Sequence, residues 1–480
     1  MNAPTPVSLT PKNLPPVQMA LFSLAAMPVA ALGIPLTVYL PNYYAHDIGL
    51  SLSAVGAAFS IVRLIDIAFD PAIGVAINAT KTRFGRFKLW MLASVPLLML
   101  AAYMIFMASP GITRSYLVLW LVVLYAGFSM LTLGHQAWAA ALQPEYHQRS
   151  RIYGWMQVVG VVATVVILAV PVILSKVWHV TIPQGVQGMG WFIVAITPVS
   201  IAISVFSVPE PKNAPEQMIT WADYRTMLFR PSLIRTLVAD LFLALGPAIT
   251  AALYLFFFIQ VMGFTRDQTT SLLLIYIAAG LAGAPAWAML ARRIGKHQTV
   301  MLGCVLYALA QVLVFVLPHG NMAFMVLGMF LAGFVVSCFT FLIRAMVADI
   351  SDEVRLDIGK DRAALLYGLI TGTSKVGSAV SVIVTFGVLE YFGFDAKAAQ
   401  NSGVPLDALI GCYVFVPVLT MFVGATALWG YKLDATRHDD IRAELAQRDA
   451  LAGASGVIDS LTGSEPALAA PPPLGTREPG

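Results

Sequence analysis

A chain of 480 residues that is 58% hydrophobic and only 11% charged, with a mean hydropathy of +0.78, falls well short of the roughly 25% charged content of soluble domains. That composition excludes a soluble fold and points to an integral membrane protein. The net charge of +4 reads as a signal of loop orientation and implies no nucleic-acid partner.

Apolar stretches long enough to cross a bilayer core as helices of roughly 20 residues fall at about 17–43, 52–78, 89–108, 115–142, 153–175, 190–208, 234–262, 268–291, 299–317, 322–347, 363–391 and 405–431. The expected fold class is an all-α membrane protein with twelve transmembrane helices. The division runs 1–16 as an N-terminal arm, 17–208 as a first six-helix bundle and 209–233 as a central loop. A second bundle at 234–432 and a partly disordered, Pro- and Gly-rich tail at 433–480 complete the chain. The first span follows an arm with one lysine, Lys12, and no small-residue cleavage pattern ends it, so it is not read as a removable signal peptide. Loops on one side hold sixteen Lys or Arg, led by the clusters Lys81, Arg83, Arg86, Lys88 and Arg292, Arg293, Lys296. The other side holds four, Arg114, Lys176, Arg266 and Lys397. By the positive-inside rule both termini are expected in the cytoplasm, in a multi-pass protein of the cell inner membrane.

The second span reads "FSIVRLIDIAFDPAIGVAINATKTRFGRFKLW" from Phe59 to Trp90. Arg63, Asp66 and Asp70 stand at i, i+3 and i+7, a single charged stripe on a helix. A charge at bilayer depth costs at least about 2.5–3.5 kcal/mol, so these groups are expected to face protein or water and to have partners. Two carboxylates one turn apart in a low dielectric resist ionising together, and such a pair takes up a proton or a small monovalent cation. The alternative is a neutralised packing network in which Arg63 pairs with one Asp. Pro71, just after Asp70, weakens the local backbone bonding.

In the fourth span "LTLGHQAWAAAL" puts His135 and Trp138 on one face. Trp138 suits a stacking wall for a solute or plain packing; His135 suits a ligand contact or a helix-to-helix donor. Arg149 and Arg151 follow this span, and Asp349, Asp352, Glu353 and Asp357 follow the tenth. These clusters of opposite sign are candidates for salt bridges that close the inner mouth. The central loop contains "WADYRTMLF", a short amphipathic pattern. Asp240, near the start of the seventh span, reads as an interfacial residue. The eighth span echoes the second, with Pro285 for Pro71 and "RRIGKH" for "RFGRFK", but Ala284 and Gly280 replace the two acids. A scaffold repeated without its carboxylates assigns those carboxylates to a task of the first half alone. Arg344, near the end of the tenth span, is a snorkelling or Asp349-pairing residue, or an anion-binding or gating one. On the eleventh, "YGLITGTSKVGSAVS" aligns Tyr367, Thr371, Lys375 and Ser378, with Lys375 too deep to snorkel. Cys304, Cys338 and Cys412 lie in apolar spans at scattered spacing, which fits buried small side chains and neither a metal site nor a disulfide. "HDDIRAELAQRDAL" in the tail is helix-like.

The Arg-x-x-Asp-x-x-x-Asp-Pro core with its "TRFGRF" loop resembles the glycoside–pentoside–hexuronide:cation symporters of the major facilitator superfamily, the melibiose permease-like carriers. "YYAHDIGLSLSAVG" and "MVADISDEVRLDIGKDRAALLYGLITGTSKVG" extend the resemblance over most of the chain. It implies two six-helix bundles around a central cavity and alternating access. It implies Asp66 and Asp70 as cation-site acids, Lys375 as the coupling lysine, Arg63 as the stripe arginine and Trp138 at the solute site. The sugar-holding acids of the melibiose pattern are replaced by Ala30 and Gly134, which argues against galactosides. The amide and hydroxyl of the sodium-using pattern are replaced by Phe69 and Leu131, which favours H+ over Na+ as the coupling ion.

The function expected is proton-coupled symport of a sugar-like or sugar-acid solute by a monomeric carrier. Its partners are a small solute, the coupling cation and the bilayer, with no other cofactor. His135, Arg344 and Lys375 make an anionic solute or a lysophospholipid-like amphiphile plausible. A non-transporting scaffold and a proton-antiport exporter are the competing classes. No nucleophile–base pair, phosphate loop or metal-ligand spacing marks an enzyme.

Overall fold

The computed structural model describes residues 14–80, 82–142, 146–178, 181–210, 229–359, 363–398 and 400–462. Among them, eleven helices are long and apolar enough to cross a membrane. A bent pair, Pro16–Ser23 with Ala26–Ile48, adds a twelfth span broken by 45°. Pro28 has no N–H to give the Leu24 carbonyl, which suits a break here. The nearby Phe22 carbonyl is taken up by Ser204 Oγ at 2.5 Å and His135 Nε2 at 3.0 Å.

The remaining spans of the first half are Leu52–Ala79, Arg86–Phe106, Arg114–Leu142, Tyr146–Trp178 and Ile182–Ser207, the second to sixth helices. The second half runs Pro231–Val261, Arg266–Ile294, Lys296–Val316, Met322–Ile358, Ala363–Tyr391 and Val404–Ala427, the seventh to twelfth. A C-terminal helix, Ala435–Thr462, covers the helix-like tail sequence. The "WADYRTMLF" pattern and the tail beyond residue 462 lie outside the described residues, except for Phe229.

The helices are longer than hydropathy alone marks. The tenth runs eleven residues past its expected end at 347, to Ile358. Its acids are partnered there: Asp349 by Lys296, Glu353 by Ser232 and Asp357 by Arg230. The sixth starts at Ile182, eight residues early, where Gln184 Oε1 accepts the Thr181 N–H at 2.8 Å.

The echo between the halves is a repeat of backbone as well as of sequence. The first and seventh spans both end in π-helical turns, Tyr43–Ile48 and Phe257–Val261. Ser51 and Thr265 then cap the second and eighth helices. Those two helices end at near-identical corners, Gly85 at φ 97° and ψ 159° and Gly295 at φ 91° and ψ 153°. Only glycine adopts this conformation without strain. At Gly85 a Cβ would also strike the Glu210 carboxylate. Glu210 accepts the N–H groups of Arg86 at 2.7 Å, Phe87 at 3.0 Å and Lys88 at 3.1 Å, three of the four free donors of the third helix. The "RFGRF" motif is therefore a corner that an acid just past the end of the sixth helix locks.

The halves meet along three helix pairs: second with eleventh, fifth with eighth, and first with seventh. At Gly56 an added Cβ would lie 3.1 Å from Phe386 Cβ and 3.1 Å from the Val382 carbonyl, so the second and eleventh helices cross with little room to spare. One end of the molecule is sealed across the halves. There Tyr39 donates to Thr270 Oγ1 at 3.0 Å, Arg266 meets Asp47 at 3.4 Å and also Asn42, and Ser175 donates to Asp267 at 2.9 Å. Ser53 donates to Glu390. A single apolar core that includes Tyr44, Phe257, Phe386 and Tyr413 passes through both halves. A second core, around Trp287, Tyr307 and Met346, is confined to the second half. Toward the opposite end, which carries Glu210 and the C-terminal helix, the pairs described above stay within one half. The three cysteines are free and buried.

Candidate solute and cation site

Midway along the second helix, Asp66 is buried and Asp70 half-buried. Their sequence spacing puts both on the side facing the eleventh helix. Lys375 Nζ lies 2.6 Å from Asp66 Oδ2 and 2.5 Å from Asp70 Oδ2. From the fourth helix, Ser129 Oγ lies 2.7 Å from Asp66 Oδ1 and 2.7 Å from Asp70 Oδ1. The two carboxylates are thus held in a closed ring, an ammonium on one side and a hydroxyl on the other.

Ser129 was not legible in the sequence. The fourth-helix hydroxyl of the sodium-using pattern was sought at Leu131, which is apolar; Ser129, two residues earlier, supplies one. Leu131 is wholly buried. A serine inside an apolar helix carries no local signal, and only the helix crossing brings it to the acids.

Arg63 does not take part in this ring. Its Nε donates to the Tyr125 hydroxyl at 3.2 Å, and it lines a neighbouring cavity. The network reading in which Arg63 neutralises an Asp is replaced by one in which Lys375, from the opposing helix, pairs with both acids.

That cavity, of about 200 Å³, lies between the halves. Its lining includes Arg63, Asp240, Arg344, Thr371, Lys375 and Ser378. Arg344 stands 14 residues before the end of its helix, or about 21 Å at 1.5 Å per residue. Arg344 and Asp240 both line this cavity, and Asp349, the pairing partner expected for Arg344, is held by Lys296 instead. Asp240 is buried and accepts from Thr373 Oγ1 at 2.6 Å and Ser374 Oγ at 2.8 Å. Thr371 donates to its own helix at the Tyr367 carbonyl, and the Tyr367 hydroxyl donates to the Arg344 carbonyl at 3.3 Å.

His135 and Trp138 lie elsewhere, in the packed interior of the first half. His135 is 2% exposed and bonded to the Phe22 carbonyl. Trp138 is 0% exposed, set edge-on to the Phe22 ring at 5.2 Å, with Lys88 Nζ 5.4 Å from its ring centre. Neither reaches the cavity in this conformation. The positions expected to have lost sugar acids also pack inward: a Cβ on Gly134 would lie 3.2 Å from Met91, and Ala30 abuts Gly160. Asp349 is held by Lys296 at 2.6 Å, and His438 of the C-terminal helix lies 3.4 Å from Asp349 and 3.0 Å from Asp352. These acids are engaged within their own half. The Arg149 side chain lies outside the described residues, and Arg151 is among those with partners.

With this geometry in view, the comparisons decide the family. The profile described as MFS/sugar transport protein matches residues 21–435. The chain belongs to that family. It is a membrane transporter of the major facilitator superfamily, of the glycoside–pentoside–hexuronide type, and not an enzyme. This transporter is 24% identical to an isoprimeverose transporter of Lactiplantibacillus pentosus, over 87% of this chain and 89% of that protein. It is 21% identical to a glucuronide carrier protein homolog of Escherichia coli, over 86% and 91%. Among solved structures, the nucleoside transporter NupG (D323A mutant) superposes with a TM-score of 0.67 at 12% identity, covering 86% of this chain and 99% of that one. That likeness shows the fold.

Proposed function

We propose that this transporter couples inward proton flow to uptake of a sugar-like solute, with a sugar acid favoured, by alternating access across the cell inner membrane. The observation that carries the proposal is the Lys375 ammonium bridging Asp66 and Asp70 across the two halves. Ionised, the acids tie the second helix to the eleventh. A proton on either removes one of the two negative charges that hold Lys375 and loosens that tie, which frees the helices to rearrange around solute. The linkage is reciprocal: solute that favours the loosened state raises the affinity for the proton.

Ser129 supports a proton over sodium. A hydroxyl has one hydrogen to donate, yet Ser129 Oγ lies 2.7 Å from both carboxylates. Both contacts become hydrogen bonds when one acid carries a proton and donates it into a Ser129 lone pair. Among the described residues Ser129 is the one side-chain hydroxyl bonded to the two carboxylates, and the Lys375 ammonium already bridges them, which leaves little to coordinate a bare sodium ion.

The lysine and arginine asymmetry of the loops supports cytoplasmic termini. In that orientation the sealed end faces outward, and the cavity belongs to an inward-open carrier. The cavity volume, below the roughly 300–1,000 Å³ of drug-sized sites, suits a small solute. Arg63 and Arg344 at its wall favour a carboxylate-bearing one, as does similarity to the glucuronide carrier homolog.

The test is uptake into proteoliposomes of labelled glycosides, sugar acids and lysophospholipids under an imposed inward pH gradient, with and without sodium. Gradient-driven accumulation of a sugar or sugar acid, insensitive to sodium, is the expected result. Efflux against the gradient identifies an exporter, sodium dependence overturns the proton reading, and lysophospholipid uptake alone overturns the sugar reading.

A further inference from the structure

One acidic group lining the cavity has no part in the Lys375 ring. Asp240 lies about 14 Å along the seventh helix from Pro231, at about 1.5 Å per residue. It is 7% exposed and faces the cavity shared with Arg63, Arg344 and Thr371. Two hydroxyl donors, Thr373 and Ser374, both bind Oδ2. Among the described residues no hydrogen bond reaches Oδ1, and no ion pair reaches the carboxylate. One oxygen is therefore fixed in place, and the other keeps its acceptor capacity beside a space large enough for solute.

A buried carboxylate is costly to keep inside a membrane protein, and Arg344, across the same cavity, is the cation whose charge acts on it. A pure packing contact between the seventh and eleventh helices needs no charge, since the Thr373 hydroxyl also lies 2.8 Å from the Ile370 carbonyl of its own helix. An ionised oxygen aimed at a polar cavity is instead suited to hydroxyl donors, since charge-assisted bonds are shorter and roughly twice as strong as neutral ones. Among the described residues the first half contributes Arg63 alone to the cavity lining, while Ala30 and Gly134 pack against neighbouring helices away from it.

We infer that Asp240 Oδ1 is the hydroxyl-binding carboxylate of the solute site, paired with Arg63 and Arg344 as the anion-binding side, so that the site takes a polyhydroxylated carboxylic acid. This rests on the sugar-symport reading above. Thr373 and Ser374 immediately precede Lys375 in sequence, so solute held at Asp240 bears on the helix turn that carries the coupling lysine.

The test uses the full chain in proteoliposomes with methyl β-D-glucuronide, methyl β-D-glucoside and their deoxy analogues as probes. Transport and proton-to-solute ratio are both measured, with the melting temperature in detergent as a folding control and a probe-induced melting shift as a binding readout. Asp240→Asn is expected to raise the KM for the glucuronide about 10- to 100-fold, the loss of one charged hydrogen bond, at an unchanged proton-to-solute ratio. Deoxy analogues are expected to lose little further affinity in this variant, and Asp240→Glu to recover part of it. If Asp240→Asn misfolds, Thr373→Ala with Ser374→Ala is expected to weaken glucuronide binding by unfixing the carboxylate. An unchanged KM in a folded Asp240→Asn overturns the inference, as does a fall in the proton-to-solute ratio, which makes Asp240 a second proton carrier. Probe binding that depends on Asp240 without gradient-driven uptake upholds this site while overturning the coupling. Absence of any probe binding to the unaltered chain overturns both.

Discussion

Lys375 Nζ on the eleventh helix lies 2.6 Å from Asp66 Oδ2 on the second, and this contact crosses the boundary between the two halves of the transporter. The same nitrogen lies 2.5 Å from Asp70. Replacing one acid by its amide loosens the tie permanently, as a bound proton does, and removes one of the two places the proton can occupy. Asp66→Asn and Asp70→Asn are each expected to abolish accumulation driven by a pH gradient while preserving exchange of solute between equilibrated compartments. Parallel uptake and counterflow assays check this, and accumulation at the unaltered level in both variants contradicts it.

Removing the lysine has a different cost. Lys375→Ala leaves two neighbouring carboxylates at depth without their cation, and breaking a buried pair from one side costs about 3–5 kcal/mol. Lys375 is 22% exposed, which tempers the loss. The variant is expected to melt measurably lower in detergent, and the triple variant with Asp66→Asn and Asp70→Asn to recover most of the difference. Equal melting of the single and triple variants contradicts the pairing.

Ser129→Ala removes the one hydroxyl bonded to the acid pair among the described residues. A hydrogen bond to a charged group contributes about 1.5–3 kcal/mol, so the initial rate of gradient-driven uptake is expected to fall about tenfold or more. Added sodium is expected not to restore it. Rate measurements with and without sodium decide between a proton site and an oxygen-coordinated metal site.

At the sealed end, Arg266 and Asp47 are 13% and 12% exposed, so their pairing is partly sheltered from solvent. Arg266→Ala also frees Asn42. The seal is expected to open more often, seen as faster labelling by a membrane-impermeant maleimide of a cysteine placed at Thr270. The native cysteines are buried and give a low background. Unchanged labelling contradicts a gating role for the pair.

The Gly85 corner makes a stability prediction. Glu210→Ala leaves three N–H groups of the third helix without their acceptor, and loss of a helix cap costs about 0.5–2 kcal/mol. Gly85→Ala meets both the positive φ and the Glu210 side chain. It is expected to lower the melting temperature at least as far as Glu210→Ala.

Hydropathy made the spans legible because a bilayer imposes length and apolarity on every crossing helix. It misjudged the ends, since the tenth helix continues past its apolar stretch on the pairs made by Asp349, Glu353 and Asp357. The acid stripe was legible because spacing along one helix fixes a face. Which cation meets it was not, since Lys375 arrives from over 300 residues away, and Arg63, the sequence neighbour, turns to Tyr125. His135 and Trp138 share a face as their spacing requires, but spacing does not say which way that face turns; here it meets Phe22. Ser129 and Asp240 owe their positions to helix crossings that leave no trace in local sequence.

The most direct measurement is infrared spectroscopy of the purified carrier, following the carboxylic-acid stretch as pH is lowered from about 8 to about 3, a range that takes in the ordinary carboxylate value of about 4. The account predicts a protonated-carboxyl band that grows as pH falls, disappears or shifts in Asp66→Asn and Asp70→Asn, and changes when solute binds. A spectrum without any such band across the range, in a carrier that still concentrates solute under a pH gradient, contradicts it.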